Sequence, residues 1–581
     1  MKRQLLVLSS LLVAMTTSAQ GDWYLSSQNL SGLSARNIGP ATTSGRIADL
    51  AINPNDHDEY YVAAASGGVW KTTNHGVTYR PIFDGQGSYS IGCITIDPNN
   101  TNVIWVGTGE NNNQRSVAYG DGLYKSEDGG NSWTHIEALR NSEHIGMIAV
   151  DPRNSDVVYV AAYGPLWSAG GDRGLYKTTD GGNSWTKILD ISEHTGVNEV
   201  HLDPRNPDVI YATAHQRRRH VYTYISGGPE SAIYKSTDGG ASFDKLTRGL
   251  PGGDVGRIGM DISPVNPDVL YACIEGHGFY RSNDRGASWG KMSEHETSGN
   301  YYVEIFASPH DLNTVYSMDT YAQFTTDGGR TFNRVPEGGK HVDNHAMWID
   351  PNDADHFLMG CDGGLYETWD NASTWHFKPN LPITQFYRVT ADRSEPFYYV
   401  YGGTQDNFSL GGPSRTTHNR GIVNSDWFVT NTGDGFESQI DPVDPNIVYA
   451  QAQYGWLVRF DKASGETMPI KPDVPRTEAP LRWNWDAPLI ISPHDHNTLY
   501  FAANRVFKST NRGDAWDLVS PDLSQQIDRN TLPVMGQVWS MDAIAKNKST
   551  TIYGNIVSLA ESPLTKGLLM AGTDDGLIQI S

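Results

Sequence analysis

Residues 124–133 read YKSEDGGNSW, and the phrase returns at 176–185 (YKTTDGGNSW), 234–243 (YKSTDGGASF) and 280–289 (YRSNDRGASW). Looser copies end at Tyr79, Phe332, Trp375 and Trp516. The shared core is Ser/Thr-x-Asp-x-Gly-x-Ser/Thr-aromatic. Each part has a job in a tight turn between two strands. The hydroxyl and the carboxylate accept hydrogen bonds from turn amides that would otherwise be unpaired. The glycine takes a positive φ, and the aromatic packs beneath the hairpin. Eight copies specify a fold and say little about activity.

This Asp-box turn interleaves with a second signal, a Pro-Asn/Asp turn followed by a β-rich run. Asp151-Pro152-Arg153-Asn154 precedes VVYVAA, and Asp203-Pro204-Arg205-Asn206 precedes VIYATA. The turn prolines run from Pro54 through Pro98, Pro152, Pro204, Pro264, Pro309, Pro351, Pro396, Pro442 and Pro493 to Pro563. They lie 42 to 60 residues apart except for the last, at 70. A period near 50 with four short strands per unit reads as β-propeller blades. In one unit the reading gives strand A over 145–150, B over 157–162, C over 174–177 and D over 185–189. The Asp-Pro turn joins A to B and the Asp-box joins C to D, so both turn types share one face. The B–C and D–A loops, which vary, share the other, and a site belongs there.

Sixty glycines and thirty prolines in 581 residues, with no sustained helical periodicity, support an all-β chain. Met1-Lys2-Arg3, an apolar run over 5–15 and Thr17-Ser18-Ala19 read as a secretory signal over 1–19. The run is short of the roughly 20 residues of a membrane span. Secretion, or release to a periplasm, is expected, and removal of Lys2 and Arg3 takes the net charge from −22 to −24. So acidic a surface excludes nucleic acid as a partner. Cys93, Cys273 and Cys361 sit in strand-like runs and read as buried packing, not disulfides or metal ligands.

The units opened by Pro54 through Pro351 each carry an Asp-box; the next two lack it, and a weak copy returns at 509–516. The sequence therefore predicts tandem β-propellers of four-stranded Asp-box blades. A seven-bladed first propeller covers 20–385. An incomplete second one of about four blades covers 386–581, and the chain is expected to be the N-terminal part of a longer one.

The repeats, the export signal and phrases such as GTGENNNQRS (107–116), VDNHAMWIDPND (342–353), YGGTQDN (401–407) and ISPHDHNTLYFAANRVFKST (491–510) resemble the exported BNR-repeat "glycosyl hydrolase" proteins. That group is related to the sortilin/Vps-ten propellers and, by architecture, to the family-74 glycoside hydrolases, the xyloglucanases. The resemblance implies two propellers side by side, each contributing one aspartate before a Gly-Gly in a B–C region. The first such place here reads Ala65-Ser66-Gly67-Gly68, with alanine at the aspartate position. In the second propeller the equivalent is Gln405-Asp406-Asn407.

Glycoside hydrolysis needs two carboxylates, roughly 5 to 10 Å apart. Asp406, Asp434, Glu437 and Glu110 are the loop-face candidates. Sugar rings stack on aromatics, and Trp70, Tyr454, Trp456, Trp483 and Trp485 are candidates, with Arg115, Gln405 and Asn407 as polar partners. Arg217-Arg218-Arg219 reads as a solvated loop or an anion contact. His341 and His345 flank Asp343-Asn344 and read as loop hydrogen bonding. No cofactor and no metal are expected. The leading expectation is an exported glycan-binding propeller acting on polysaccharide or oligosaccharide, of glycoside-hydrolase type. The other is a non-catalytic sortilin-like propeller holding peptides or exported proteins.

Overall fold

The structure is a computed structural model that describes residues 32–581 except 34 and 44. The expected signal segment lies outside the described residues. The chain up to Ile38 is a unit by itself and has no strand among its described residues; everything below concerns Gly39–Ser581. This unit is built from ten four-stranded antiparallel sheets, a final three-stranded one, and one added hairpin. No α-helix occurs among the described residues. It is a tandem β-propeller whose four-stranded sheets are its blades, each of consecutive strands except in blade 4, where the added hairpin interrupts the run.

Blade 3 shows how closely the residues dictate the elements. Its strands are Ile145–Val150, Val158–Ala162, Gly174–Thr178 and Thr186–Leu189. The C–D turn carries the expected bonds. Gly182 N donates to Thr178 Oγ1 at 3.0 Å, and Ser184 N and Oγ donate to the two oxygens of Asp180 at 2.9 and 2.5 Å. These bonds hold the Asp180 carboxyl down at about 2. Gly182 has φ +100°, and a Cβ there would meet the Trp105 ring at 2.7 Å. The turn at 509–516 keeps the pattern with asparagine: Gly513 N donates to Ser509 Oγ at 2.8 Å and Ala515 N to Asn511 Oδ1 at 3.0 Å.

Seven apolar clusters join seven blades in sequence and then join the seventh to the first. The closing one packs Ile47, Tyr60 and Val62 of blade 1 against Ala346, Leu358 and Leu365 of blade 7. Three more clusters join blades 8 to 11. Cys93 and Cys273 are buried in these seams, and Cys361 is buried as well.

Two insertions shape the loop face. In blade 4 the B–C connection adds the hairpin Arg218–His220 and Thr223–Ile225. Between blades 10 and 11, the stretch 519–555 runs back over that hairpin. Ser226 N donates to Ile544 O at 3.1 Å, Ala545 packs on Leu166 and Tyr224, and Trp539 and Val534 pack on Ile225. Here the reading of Arg217-Arg218-Arg219 as a solvated loop fails. All three are buried. Arg217 lies 3.2 Å over the Tyr163 ring and donates to Gly164 O at 2.8 Å; Arg219 donates to Asn113 O and to Ser549 O. Burial pulls the guanidinium groups of Arg217 and Arg219 down to about 10 and about 9.

Candidate functional site

The loop face gathers charge at one place. Arg46 precedes strand Ile47–Ile52 of blade 1, and its guanidinium is buried. It donates to Asp362 Oδ1 through Nε at 2.8 Å, to Glu110 Oε2 through Nη1 at 2.5 Å, and to the Tyr301 hydroxyl. Asp362 sits in the B–C turn of blade 7, between strands Phe357–Cys361 and Gly364–Thr368. Asp362-Gly363-Gly364 makes that turn because Gly364 has φ +114° and a Cβ on Gly363 would strike His341 at 2.4 Å. Asp362 also accepts from His345 Nε2 at 2.8 Å and from the Tyr301 hydroxyl. Burial opposes its charge, but Arg46, a hydrogen bond with Asp406 and His345 outweigh that and hold the carboxyl well below the usual range.

Asp406 comes to the same place from blade 8. It lies in the B–C turn between Tyr399–Thr404 and Ser409–Pro413, with φ +60°. Burial first, then the charge of Asp362 and the hydrogen bond to it, push its carboxyl well above the usual range, with Asp434 and Asp343 adding to the effect. Asp434, just before strand Gly435–Ile440 of blade 9, is raised by burial while a hydrogen bond from Asp406 and the charge of Arg115 act against the rise. Gln453 Nε2 donates to Asp434 Oδ1 at 2.8 Å. The two expected acids are thus brought together, in hydrogen-bond contact. That is too close to straddle a glycosidic bond, which needs roughly 5 Å or more. One oxygen of each of Asp343, Asp362 and Asp406 lies within 4.8 Å of the others.

Next to this acid line lies an aromatic strip. The Arg115 guanidinium stacks 3.9 Å from the Trp485 ring, and its Nε donates to Ser549 O at 2.8 Å. Tyr454 meets Trp485 edge to face at 5.0 Å. Tyr454 and Trp456 are 42% and 49% exposed, so their rings present apolar surface to solvent. Tyr387 stacks on Phe436 at 4.8 Å and donates to Ser116 Oγ at 3.4 Å.

Other expected residues are spent within the fold. Glu110 is fully buried, bound by Arg46 and by Asn112 Nδ2 at 3.0 Å, so it is closed to substrate. Gln405 donates to Tyr301 at 2.9 Å and accepts from Ser116, and Asn407 donates to Asp362 O at 2.8 Å. Both tie blade 8 to the first seven blades instead of facing a ligand. Trp70 lies in the core that closes blade 7 on blade 1, with Nε1 bound to Gly67 O at 2.9 Å. Trp483 packs on Phe501. Glu437 turns to Gln439 at 2.7 Å and Arg388 at 3.6 Å, and burial raises its carboxyl.

Four residues at the centre escaped the sequence reading as site residues: Arg46, Tyr301, His345 and Asp362. One signal could have found Asp362. It is an aspartate directly before Gly-Gly in a B–C turn, the pattern sought at Ala65 and absent there.

Comparison with known proteins adds relatives to this geometry. The model of the family described as sortilin, neurotensin receptor 3 (Sortilin-Vps10) matches residues 121–252. A probable oligoxyloglucan-reducing end-specific xyloglucanase of Neosartorya fischeri is 24% identical over 384 residues, 55% of this chain and 43% of that protein. The oligoxyloglucan-reducing end-specific xyloglucanase of Emericella nidulans is 23% identical over 447 residues, 64% and 50% of the two chains. The chain spans about half the length of the curated relatives it matches. Among solved structures, the family-74 enzyme of Niastella koreensis superposes with a TM-score of 0.55 at 16% identity, over 94% of this chain and 85% of that one. The family-74 xyloglucanase of Xanthomonas campestris gives 0.50 at 13% identity, over 94% and 87%. The chain is a sortilin-like propeller related to the family-74 xyloglucanases. At these identities the superpositions establish the fold, and the chemistry rests on the residues of this chain.

Proposed function

We propose that this chain is an exported polysaccharide-binding propeller of glycoside-hydrolase type. It holds a glucan-like chain along Arg115, Trp485, Tyr454 and Trp456 and uses Asp406 as general acid. The observation that carries this reading is geometric: a buried carboxyl, pushed above the usual carboxylate range by burial and by Asp362, is built into a turn beside an exposed aromatic strip. A raised carboxyl suits a general acid, and a pyranose needs an apolar face to stack on. Asp434 is the second carboxylate, and substrate entering between the two must separate them. Export through residues 1–19 and a boundary between the propellers near 385 belong to the same reading.

Two observations favour a second reading, a non-catalytic propeller that holds peptides or exported proteins. Ala65 stands where the family pattern has an aspartate, and Asp434 touches Asp406. One experiment separates the readings. The full-length exported protein and its Asp406→Asn variant are incubated with xyloglucan and a panel of plant and algal glucans, and reducing ends are measured. Release that the variant abolishes supports the hydrolase. No release from any polymer, with no binding by calorimetry, gives the case to the protein-binding reading.

A further inference from the structure

Blades 1 and 7 are each made of four consecutive strands, so among the described residues no strand from elsewhere completes either. Among the described residues their seam is joined by the apolar cluster described above and by side-chain bonds. On the face of the Asp-box turns, three side chains converge there. His75 lies in the C–D turn of blade 1, His356 ends the A–B turn of blade 7, and Glu367 is on strand Gly364–Thr368. His75 Nε2 is 2.6 Å and His356 Nε2 2.9 Å from one atom, Glu367 Oε1. The three ligand atoms lie within 4.8 Å of one another.

The surroundings are ordered around those atoms. His75 Nδ1 is 3.2 Å from Asp58 Oδ1, and His356 Nδ1 is 3.0 Å from Asp350 Oδ2. Each ring thus turns one nitrogen to the centre and has the other held by a carboxylate. Lys378 Nζ donates to Glu367 Oε2 at 2.6 Å, which leaves Oε1 to the histidines. Trp369 lies flat on His356, 3.6 Å between ring centroids, and fixes its plane.

We infer that His75, His356 and Glu367 form a binding site for a divalent transition metal of the zinc type, clamping blade 7 to blade 1. Two imidazoles and one carboxylate are a zinc ligand set, and zinc-bound imidazoles keep their far nitrogen on a carboxylate. Asp58, Asp350 and Glu367 bring three negative charges against one from Lys378, so a dication is balanced. Bonds of about 2.0 Å to a tetrahedral ion put ligand atoms about 3.3 Å apart. His75, on the partly exposed turn, must draw back from Glu367 by about 0.7 Å and His356 by about 0.4 Å. Each ring keeps its Nδ1 proton and gives up any proton on Nε2, so binding releases protons. The site joins residues 292 apart in sequence, and fixing so long a loop raises the stability of the closed ring. Sequence spacing hides the site for the same reason.

The test uses the full-length exported protein, stripped with a chelator and titrated with zinc chloride by calorimetry, with cobalt(II) as a visible reporter. The expected result is one zinc per chain, a higher melting temperature, and the strong d–d absorption of four-coordinate cobalt. His75→Asn removes a ligand yet suits the turn, because His75 has φ +55° and asparagine tolerates that conformation. It and Glu367→Gln should each weaken affinity at least 100-fold. Asp350→Asn, which removes only a support, should weaken it about 10- to 100-fold. If Glu367→Gln fails to fold, His75→Asn alone decides. Lack of stoichiometric uptake by the natural chain overturns the assignment, as does uptake that His75→Asn leaves within twofold.

Discussion

Arg46→Met is the perturbation that most directly questions the charged centre. The guanidinium is buried and binds two buried carboxylates, Asp362 and Glu110. Methionine fills similar space without charge, so the loss is electrostatic. Removing one partner of a buried pair costs about 3–5 kcal/mol. Asp362 keeps His345 and Tyr301, and Glu110 keeps Asn112, which places the cost near the lower end, about 3 kcal/mol. The pH dependence is the sharper part. The folded Asp362 carboxyl lies below its unfolded value of about 3.9. Its contribution is therefore present above about pH 4 and lost as pH falls through the folded value. The penalty of Arg46→Met should be largest at pH 7 and shrink towards pH 3, where Asp362 of the variant, no longer held down by Arg46, takes up a proton. Urea unfolding followed by tryptophan fluorescence, at a series of pH values, measures it. Adding Asp362→Asn should recover about 2 kcal/mol, since the uncompensated charge is gone. A penalty constant with pH, or two costs that simply add, would refute the electrostatic account.

Gly182→Ala forces a positive φ on alanine and drives a methyl into Trp105, so it should cost roughly 2–4 kcal/mol; a midpoint change equivalent to less than about 0.5 kcal/mol contradicts the turn geometry. Tyr454→Ala and Trp456→Ala touch exposed rings, so the melting temperature should hold while xyloglucan-oligosaccharide affinity falls about tenfold, or about 1.4 kcal/mol, each. Burial pushes the Cys273 and Cys361 thiols up to about 12. All three cysteines should therefore ignore a thiol reagent in the native protein and react on unfolding, as a colorimetric thiol count will read.

Much of the fold was legible because its determinants are local. An Asp-box needs only a hydroxyl, a carboxylate and a glycine within seven residues, and its bonds close within the turn, as Asp128 shows by binding Ser132 N at 2.8 Å and Ser132 Oγ at 2.6 Å. The strands of blade 3 were predicted within a residue or two for that reason. The site was legible only in part. Asp406, Asp434, Tyr454 and Trp485 do gather on one side, since their blades are neighbours in sequence, and Arg115 reaches Trp485 from blade 2. Glu110, Gln405, Asn407 and Trp70 looked equally available. Their availability depends on which residue the closed fold sets against them.

The sequence by itself determined the repeat, the four-stranded blade and the face on which the variable loops emerge, since each follows from hydrogen bonds and alternation over a few residues. Only the tertiary structure decided which carboxyls are pushed up or held down, which arginines are buried, and which histidines meet at the seam. Those outcomes depend on burial and on charges brought together from hundreds of residues apart. Arg46 meets Asp362 across 316 positions and His75 meets Glu367 across 292. Solvation and Coulomb energies are set by distance in space, and only the closing of the ring establishes that distance.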